Sequence, residues 1–384
     1  MKLVFQFGSH PELSLAELIA RFPALSTGRL VAGRFFIVES SEPPAWLLRN
    51  LGGVVKILEV IPGLSHEPDA LAAHILETCT AKNKAVFGVS IINAPELKGL
   101  GIAIKRALQQ ESDRPVRLVV SRENELSSAS VVLEKLLAPE GVELVFFKDS
   151  SEIIVAQTAA VQPFDEWSYR DYERPGRDAK RGMLPPKLAK IMVNLALGTA
   201  DPTRATFYDP FCGSGTTLAE AALIGFGRVY GSDILRDAVS DAQKLALWAT
   251  KEFDLNETIF EIFKQDVTVR ADRIKTASID CIVAETFLGR PLKAGESLSV
   301  AEKTDLISLY RRALLALAPL LRAPSGRVVL AIPFQMKPFE LLPLDEILAD
   351  TPFDIDPLLP STSTLRYSRA DQRTGRQIIR LCLK

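Results

Sequence analysis

Residues 206–217, TFYDPFCGSGTT, decide the fold of the second half of the chain. A short apolar run ends at Asp209, glycines follow at Gly213 and Gly215, and a helical pattern begins at Thr216. A strand that turns through glycines into a helix presents unpaired helix N–H groups, and a ligand can approach such a backbone closely. The spacing fits neither the phosphate loop nor the dinucleotide fingerprint. The stretch therefore predicts a ligand-binding turn of another kind.

Strand-like and helix-like stretches alternate around this turn. Strands are predicted at 206–209, 228–233, 259–264, 280–284 and 327–332, and helices at 216–225, 235–251 and 301–317. Such alternation calls for a parallel sheet covered on both faces. We predict a Rossmann-like α/β domain over residues 185–384, with a strand hairpin around residues 371–376.

The first 160 residues show shorter alternating elements, which predict two α+β units at 1–62 and 63–160. Strands are predicted at 2–7, 34–38, 56–61, 86–92, 116–121, 142–147 and 153–157, and helices at 12–22, 44–50, 69–79, 97–110 and 125–137. No period of 20–50 residues repeats, which excludes a solenoid.

The composition changes between these two parts of the chain. Residues 167–187, WSYRDYERPGRDAKRGMLPPK, are rich in Arg, Asp, Tyr and Pro. This composition predicts a connector at 161–184, and either a solvated linker or a functional segment fits it. Pro185 fits a ligand contact or simply the start of a helix.

Composition and charge narrow the classes of protein. The 384 residues are 47% hydrophobic, which excludes a disordered or collagen-like chain. Four scattered cysteines and three histidines predict neither a metal site nor a disulfide framework. No apolar run reaches the ~18 residues of a membrane span, and the start lacks a signal-peptide pattern. We expect a soluble cytoplasmic protein that is a monomer and binds no membrane and no metal.

The formal net charge of −1 argues only weakly against a nucleic-acid partner. Phosphate groups respond to a local basic patch rather than to the total charge. Residues 361–384 contain six Lys/Arg and one Asp, a local net charge of +5. The tail is therefore a candidate RNA-binding segment.

Three acidic residues follow successive predicted strands. Asp209 ends the first strand, Asp233 ends the second, and Asp266 follows the third. An acid at the second position can accept hydrogen bonds from ribose hydroxyls, and one at the third can bind an adenine amine. Each alone fits a helix cap or a turn. Together, at one sheet edge, they favour a nucleoside cofactor.

These motifs resemble those of a known family. DPFCGSGT, GSD at 231–233 and IDCIVAETFLG at 279–289 look like motifs of class I S-adenosylmethionine-dependent amino-methyltransferases. Residues 170–196 and 365–378 are similar to segments of THUMP-domain tRNA guanine-N2 methyltransferases, as are FGSHPELSLAEL at 7–18 and ELSSASVVLEKLL at 125–137. The resemblance implies a ferredoxin-like unit, a THUMP-like RNA-binding domain and a Rossmann-like methyltransferase domain.

The resemblance also implies the ligands and their contacts. The cofactor would be S-adenosylmethionine and the partner tRNA, with the guanine at the tenth tRNA position as target. Cofactor contacts would come from Pro185, Asp209, Pro210, Cys212, Gly213, Ser214, Gly215, Thr216, Thr217, Asp233, Ile234, Asp266, Val267 and Glu285. RNA contacts are assigned to Lys98, Lys105, Arg106, Arg117, Arg122, Arg366, Arg369, Arg373 and Arg376.

The catalytic residues are assigned to the loop Ala284-Glu285-Thr286-Phe287. A guanine amine is a poor nucleophile, and a carboxylate and a carbonyl that accept its N–H bonds orient its lone pair. We assign Glu285 as the acceptor, the Thr286 carbonyl as a second acceptor, and Phe287 as the platform on which the flipped base stacks. Relatives usually carry a proline where this chain has Thr286.

Two other functions remain open at this stage. The first is methylation of amino groups in DNA or ribosomal RNA, because DPFCGSGT is shared by many DNA and RNA methyltransferases. The second is a catalytically impaired RNA-binding homologue, for which Thr286 is the main argument.

Overall fold

The structure, a computed structural model, describes residues 1–121, 123–149, 152–176, 183–293, 296–369 and 372–384. It forms two compact units. The first comprises Met1–Leu15 and Ala24–Asp165, and the second comprises Ala16–Pro23 and Glu166–Lys384. Among the described residues, every helix is too short or too polar to cross a membrane.

The first unit is built on one sheet. The elements up to residue 161 are β1 (Lys2–Phe7), α1 (Pro11–Arg21), β2 (Arg29–Val31), β3 (Phe35–Glu39), α2 (Pro44–Asn50), β4 (Val54–Val60), α3 (Pro68–Thr78), β5 (Ala85–Ile92), α4 (Leu100–Glu111), β6 (Val116–Val119), α5 (Ser128–Leu133), β7 (Gly141–Asp149) and β8 (Glu152–Val161). The described strands form a single eight-stranded sheet in the order β2-β3-β1-β4-β8-β7-β5-β6.

The first four strands have the βαββαβ order that the ferredoxin-like prediction requires. Strand β4 is not an edge strand, because it pairs with β1 on one side and with β8 on the other. The two sequence-predicted units at 1–62 and 63–160 therefore share one continuous sheet. The assignment of residues 63–160 to a THUMP domain stays a prediction.

The second unit is a second sheet with helices packed against it. Its elements are α6 (Phe164–Tyr172), which begins before the boundary, α7 (Pro186–Leu197), β9 (Thr206–Asp209), α8 (Thr216–Ile224), β10 (Arg228–Asp233), α9 (Arg236–Phe253), β11 (Ile259–Lys264), β12 (Cys281–Glu285), α10 (Val300–Leu317), β13 (Arg327–Met336), β14 (Phe339–Leu341), α11 (Leu344–Leu348), β15 (Phe353–Ile355), β16 (Thr364–Tyr367) and β17 (Thr374–Leu383).

The strand order is β11-β10-β9-β12-β13-β17-β15, with β14 added to β13 and β16 added to β17. Strands β9 to β13 run parallel, whereas β17 is antiparallel to β13. The N-terminal end of β17 therefore lies at the same sheet edge as the carboxyl ends of the parallel strands. This edge is where an open α/β sheet binds its ligands.

The predicted α/β pattern is confirmed, and three local predictions are corrected. Helix α5 is shorter than the predicted 125–137, since Lys135 adopts φ 55°, which a helix cannot continue. Strand β13 runs beyond residue 332 because its last residues pair with both β14 and β17. The pattern did not predict the short elements β2, β14, β15 and α11, nor did it predict the longer helices α6 and α7.

The described part of the predicted connector is not a solvated linker. Trp167, Arg170 and Arg174 are each less than a tenth exposed. Arg170 lies over the Trp167 ring, with 4.0 Å between guanidinium carbon and ring centroid, and donates to both oxygens of Glu220 at 2.8 and 2.7 Å. Arg174 donates to the hydroxyl of Thr216 at 2.6 Å. The segment is therefore bonded to helix α8 within the second unit.

Candidate active site

The glycine turn after β9 is held by an internal carboxyl group. Asp209 is 2% exposed and accepts hydrogen bonds from the Phe211 N–H, at 2.8 Å, and from the Thr217 hydroxyl. Burial raises the pKa of Asp209 to about 7. The structure thus places Asp209 inside the turn, where it fixes the backbone that would face a cofactor.

The two glycines have conformations that other residues rarely adopt. Gly213 has φ 50° and Gly215 has φ 90°. A Cβ at Gly215 would come within 3.1 Å of the Ala242 Cα atom, so helices α8 and α9 approach closely here. Gly215 also forms the N-cap of α8. The sequence motif therefore specifies both the turn and the packing behind it.

The second acid of the series is bonded to this turn. One oxygen of Asp233 accepts from the Gly213 N–H at 3.1 Å, and the other accepts from the Leu235 N–H at 2.9 Å. Ile234, which lies between Asp233 and Leu235 in the chain, is 57% exposed. Each carboxylate oxygen still has a second lone pair for a ligand hydroxyl.

The third acid lies on the surface beyond β11. Asp266 accepts hydrogen bonds from the Thr268 N–H at 2.9 Å and from its hydroxyl at 2.8 Å. The backbone bond and the hydroxyl bond hold the pKa of Asp266 below its ordinary value. Val267 beside it is 8% exposed. Asp266 is therefore an exposed, ionised acceptor next to an apolar residue.

The remaining predicted cofactor residues are mostly turned inward. Cys212, Thr216 and Thr217 are buried, and burial raises the pKa of the Cys212 thiol well above its ordinary value. Pro210 and Ser214 lie in the turn, and Pro185 is the N-cap of α7. Backbone groups of this turn, rather than its side chains, are the part available to a ligand.

The candidate catalytic loop begins where β12 ends. Glu285 is the last residue of that strand and lies opposite Ala331 of β13. The Thr286 N–H and hydroxyl both donate to the Ala331 carbonyl, each at 3.1 Å. The Tyr310 hydroxyl, on α10, donates to the Phe287 carbonyl at 2.5 Å. These bonds fix the loop backbone without a proline.

Two side chains of this loop have contrasting environments. Phe287 is 57% exposed, so its ring is available to a flat ligand. Glu285 is largely buried and forms an ion pair with Arg376 of β17. Burial raises the pKa of Glu285, and the Arg376 guanidinium opposes that rise. The position predicted to accept an amine thus carries a carboxylate stabilised by a neighbouring cation.

The structure corrects the prediction for Arg376. The side chain was expected to reach RNA phosphates, but it is 3% exposed and bonded to Glu285. Successive side chains of a strand point to opposite faces of the sheet, so a count of charges in the tail does not reveal which side chains are buried. A guanidinium in this position is not available to a phosphate.

The other basic residues of the tail lie on the surface. Arg366, Arg369 and Arg373 are exposed, and the Arg366 guanidinium lies 5.2 Å from the ring centroid of Phe339. Phe339 itself is 55% exposed. We call the exposed set Lys337, Phe339, Arg366, Arg369 and Arg373 the basic rim. It is formed by the β13–β14 and β16–β17 hairpins, whose strands meet at the carboxyl edge of the sheet.

The candidates in the first unit are also on the surface. Lys98 and Arg106 are exposed, Lys105 is half-buried, and Arg117 pairs with Glu134 at 2.5 Å. The predicted contact Arg122 lies outside the described residues. The RNA-binding role of this group stays a prediction.

Sequence reasoning missed several residues that support the site. Tyr310 and Glu220 carry no motif of their own. Arg170 and Arg174 lie in the segment 170–196, whose resemblance to the family was noted, but no role was predicted for either side chain. Among the described residues, no cluster of His, Cys, Asp and Glu could hold a metal ion.

Comparison with known proteins agrees with this geometry. Residues 174–347 match the family model UPF0020, the RMKL-like methyltransferase domain. TrmN from Thermus thermophilus is 20% identical in sequence to this chain. The alignment of the two structures covers 100% of each chain and has a TM-score of 0.56. SMU.472, assigned as a methyltransferase and solved with SAH, is 14% identical, covers 100% of this chain and 98% of its own, with a TM-score of 0.50. No curated protein matches the chain.

The family match covers the glycine turn, the three acids and the catalytic loop, whereas the two structural matches compare the fold alone. The expectation of a class I methyltransferase fold is thereby confirmed, and the match supports S-adenosylmethionine as the cofactor.

Proposed function

We propose that this protein methylates the N2 amine of a guanine in tRNA, at the tenth position. The observation that carries the proposal is Glu285, a carboxylate at the carboxyl end of β12 that, among the described residues, accepts a hydrogen bond from Arg376 through Oε1 alone. Phe287, beside it, has an exposed ring. An acceptor next to a flat apolar face suits an amino group on a stacked base.

The residues of the turn fit the proposed cofactor. Asp233 keeps acceptor capacity for ribose hydroxyls, and Ile234 and Asp266 offer an exposed apolar side chain and an exposed acceptor for an adenine. When bound, S-adenosylmethionine supplies a methyl group on a sulfonium sulfur. The chain's own task is then to hold the guanine amine in line with that methyl group.

Glu285 performs this task through its second oxygen. An amine N–H that donates to Oε2 directs the nitrogen lone pair away from the ring and toward the methyl carbon. Methyl transfer from the bound cofactor would place positive charge on the amine nitrogen, and the Glu285 carboxylate would stabilise that charge. The Thr286 carbonyl would accept the second N–H, and the surplus proton leaves to solvent.

A single-stranded rather than a duplex nucleic acid is favoured by the basic rim. The rim carries four cationic side chains and an exposed phenylalanine, a combination that binds single-stranded nucleotides through phosphate contacts and base stacking. Together with the sequence resemblance of residues 1–160 to the RNA-binding half of THUMP-domain enzymes, it supports tRNA as the substrate.

The test is turnover with tRNA carrying a defined tenth nucleotide. The protein is incubated with S-adenosylmethionine and a tRNA with guanosine at that position, and the digested nucleosides are measured by mass spectrometry. We expect N2-methylguanosine. The matched control is the same tRNA with inosine at the tenth position, since inosine lacks only the exocyclic amine and should remain unmodified.

Three other outcomes would overturn parts of the proposal. Equal methylation of the inosine tRNA would place the target elsewhere in the molecule. Methylation of duplex DNA or ribosomal RNA but not of tRNA would change the substrate class. Tight tRNA binding with no methyl transfer would identify an RNA-binding homologue without activity.

A further inference from the structure

The ion pair between β12 and β17 spans an intervening strand. Glu285 ends β12 and pairs with Ala331 of β13, while Arg376 of β17 pairs with Pro333, two residues further along β13. The Arg376 side chain crosses β13 to reach Oε1 of Glu285. The arginine side chain suits this role because it is long enough to reach across a strand, and its planar guanidinium fixes the orientation of the acceptor that it binds.

The guanidinium is held from its other side as well. Its Nη1 lies 3.4 Å from Oε1 of Gln372, a contact at the outer limit for a hydrogen bond. Arg376 is 3% exposed, whereas the Glu285 side chain is 18% exposed. The cation is therefore enclosed, and the carboxylate is the member of the pair that reaches the open side.

The other charged groups near Glu285 have the same sign as the carboxylate. Burial raises the pKa of Asp209, and repulsion by Asp233 and by Glu285 adds to that rise. Burial also disfavours the charged form of Glu285. Among the described residues, Arg376 is the cation whose charge opposes the rise in the pKa of Glu285.

We propose that Arg376 is a positioning residue for the methyl-transfer reaction, which holds Oε1 of Glu285 so that Oε2 faces the target amine. This inference rests on the proposed function. It assigns to Arg376 the fixing of the Glu285 side chain, while the bonds of Thr286 and Tyr310 fix the loop backbone. It also explains why one arginine of a basic tail is buried while its neighbours line the basic rim.

The first test is the pH dependence of turnover in Arg376→Gln. Removing the cation leaves burial and the neighbouring carboxylates unopposed, so Glu285 should ionise only at higher pH. We expect the acidic limb of the kcat profile to move up by roughly one to three pH units. At neutral pH, kcat should fall at least about tenfold, and Arg376→Lys should restore part of the loss.

The matched control is Arg380→Gln. Arg380 lies on the same strand and pairs with Asp356 at 3.0 Å, away from the catalytic loop. This variant loses a similar ion pair and should keep the wild-type pH profile. A profile that moves equally in both variants, or that does not move in Arg376→Gln, would overturn the proposal.

A second measurement does not depend on turnover. Glutamate labelled with ¹³C at its carboxyl carbon reports the ionisation of Glu285 by NMR, with the signal assigned through its absence in Glu285→Gln. Arg376→Gln should ionise at higher pH than wild type, and an unchanged midpoint would refute the inference even if no substrate were found. If Arg376→Gln failed to fold, Arg376→Lys compared with Arg380→Lys would give the same comparison. Absence of turnover in the wild type would instead refute only the proposed function.

Discussion

The cation–glutamate pairs Lys56–Glu143 of the first unit and Arg376–Glu285 of the second unit differ in how completely they are bonded. In the first unit, Lys56 donates to both oxygens of Glu143 at 2.9 and 3.0 Å and to the Leu126 carbonyl at 2.6 Å. Ser90 and Thr158 also donate to Glu143, at 2.6 and 2.5 Å.

In the second unit, Arg376 donates to one oxygen of Glu285. Lys56 and Glu143 are 1% and 0% exposed, whereas Glu285 is 18% exposed at a sheet edge. Both oxygens of Glu143 already accept hydrogen bonds, so the Lys56–Glu143 pair serves to hold strands together. A pair with one oxygen left over can also hold a ligand, at the cost of a less complete compensation for burial.

The largest expected effect is on activity, from Glu285→Gln. The amide keeps the shape of the side chain but loses the negative charge that stabilises the developing positive charge on the amine. We expect kcat on tRNA to fall about 100- to 10,000-fold. The matched control is Glu261→Gln, an exposed partner of Arg228 at 3.3 Å, which should leave kcat unchanged.

The same substitution in the other pair should act on stability instead. Glu143→Gln leaves Lys56 charged in the interior without its counterion, which costs about 3–5 kcal/mol of unfolding free energy. Hydrogen exchange of the β4 and β7 amides in the full chain measures this loss. Glu140→Gln, which removes an ion pair of 3.8 Å with the half-exposed Lys84, should cost less than about 1 kcal/mol. Equal losses in the two variants would show that the buried network contributes nothing special.

A third prediction concerns the pH dependence of stability. The pKa of Asp209 is raised in the folded chain to about 7 from an ordinary value of 3.8, so the unfolded chain ionises first as the pH rises. The free energy of unfolding should therefore decrease between about pH 4 and pH 7, by up to about 4 kcal/mol from this group. Asp209→Asn should flatten that decrease in urea denaturation of the full chain. Asp201→Asn, which removes an exposed carboxyl whose pKa is lowered by bonds to Thr203, should leave the decrease in place.

The smallest expected effect is on RNA affinity, from Phe339→Ala in the basic rim. Loss of one stacked base costs about 1–3 kcal/mol, or roughly 5- to 150-fold in the dissociation constant for tRNA. Leu247→Ala is the control, because Leu247 is 72% exposed on α9 and lies outside the rim. Unchanged affinity in Phe339→Ala would leave the rim as an electrostatic surface without stacking.

The glycine turn, the acids and the alternation of strands and helices could be predicted because each depends on the local sequence. Glycines must occupy the left-handed turn, and an acid after a buried strand must lie at the sheet edge. The role of Arg376 could not be predicted in the same way. It depends on strand β17 running antiparallel beside β13 and on a register that brings residue 376 level with residue 333.

The packing of the connector was missed for a related reason. The bonds from Arg170 to Glu220 join residues that are distant in sequence. Propensity and periodicity describe a segment alone, and tertiary contacts then decide where it ends and which charges it buries.

The shared sheet of the first unit limits how this chain can be divided. Strand β4 contributes backbone hydrogen bonds to β1 and to β8 at once. A truncation between residues 62 and 63 removes β4 from the fragment that begins at residue 63 and leaves β8 as an open edge, with unpaired N–H and C=O groups free to join the edge of another copy. Shortened versions that begin at residue 63 should therefore aggregate, whatever RNA-binding residues they retain.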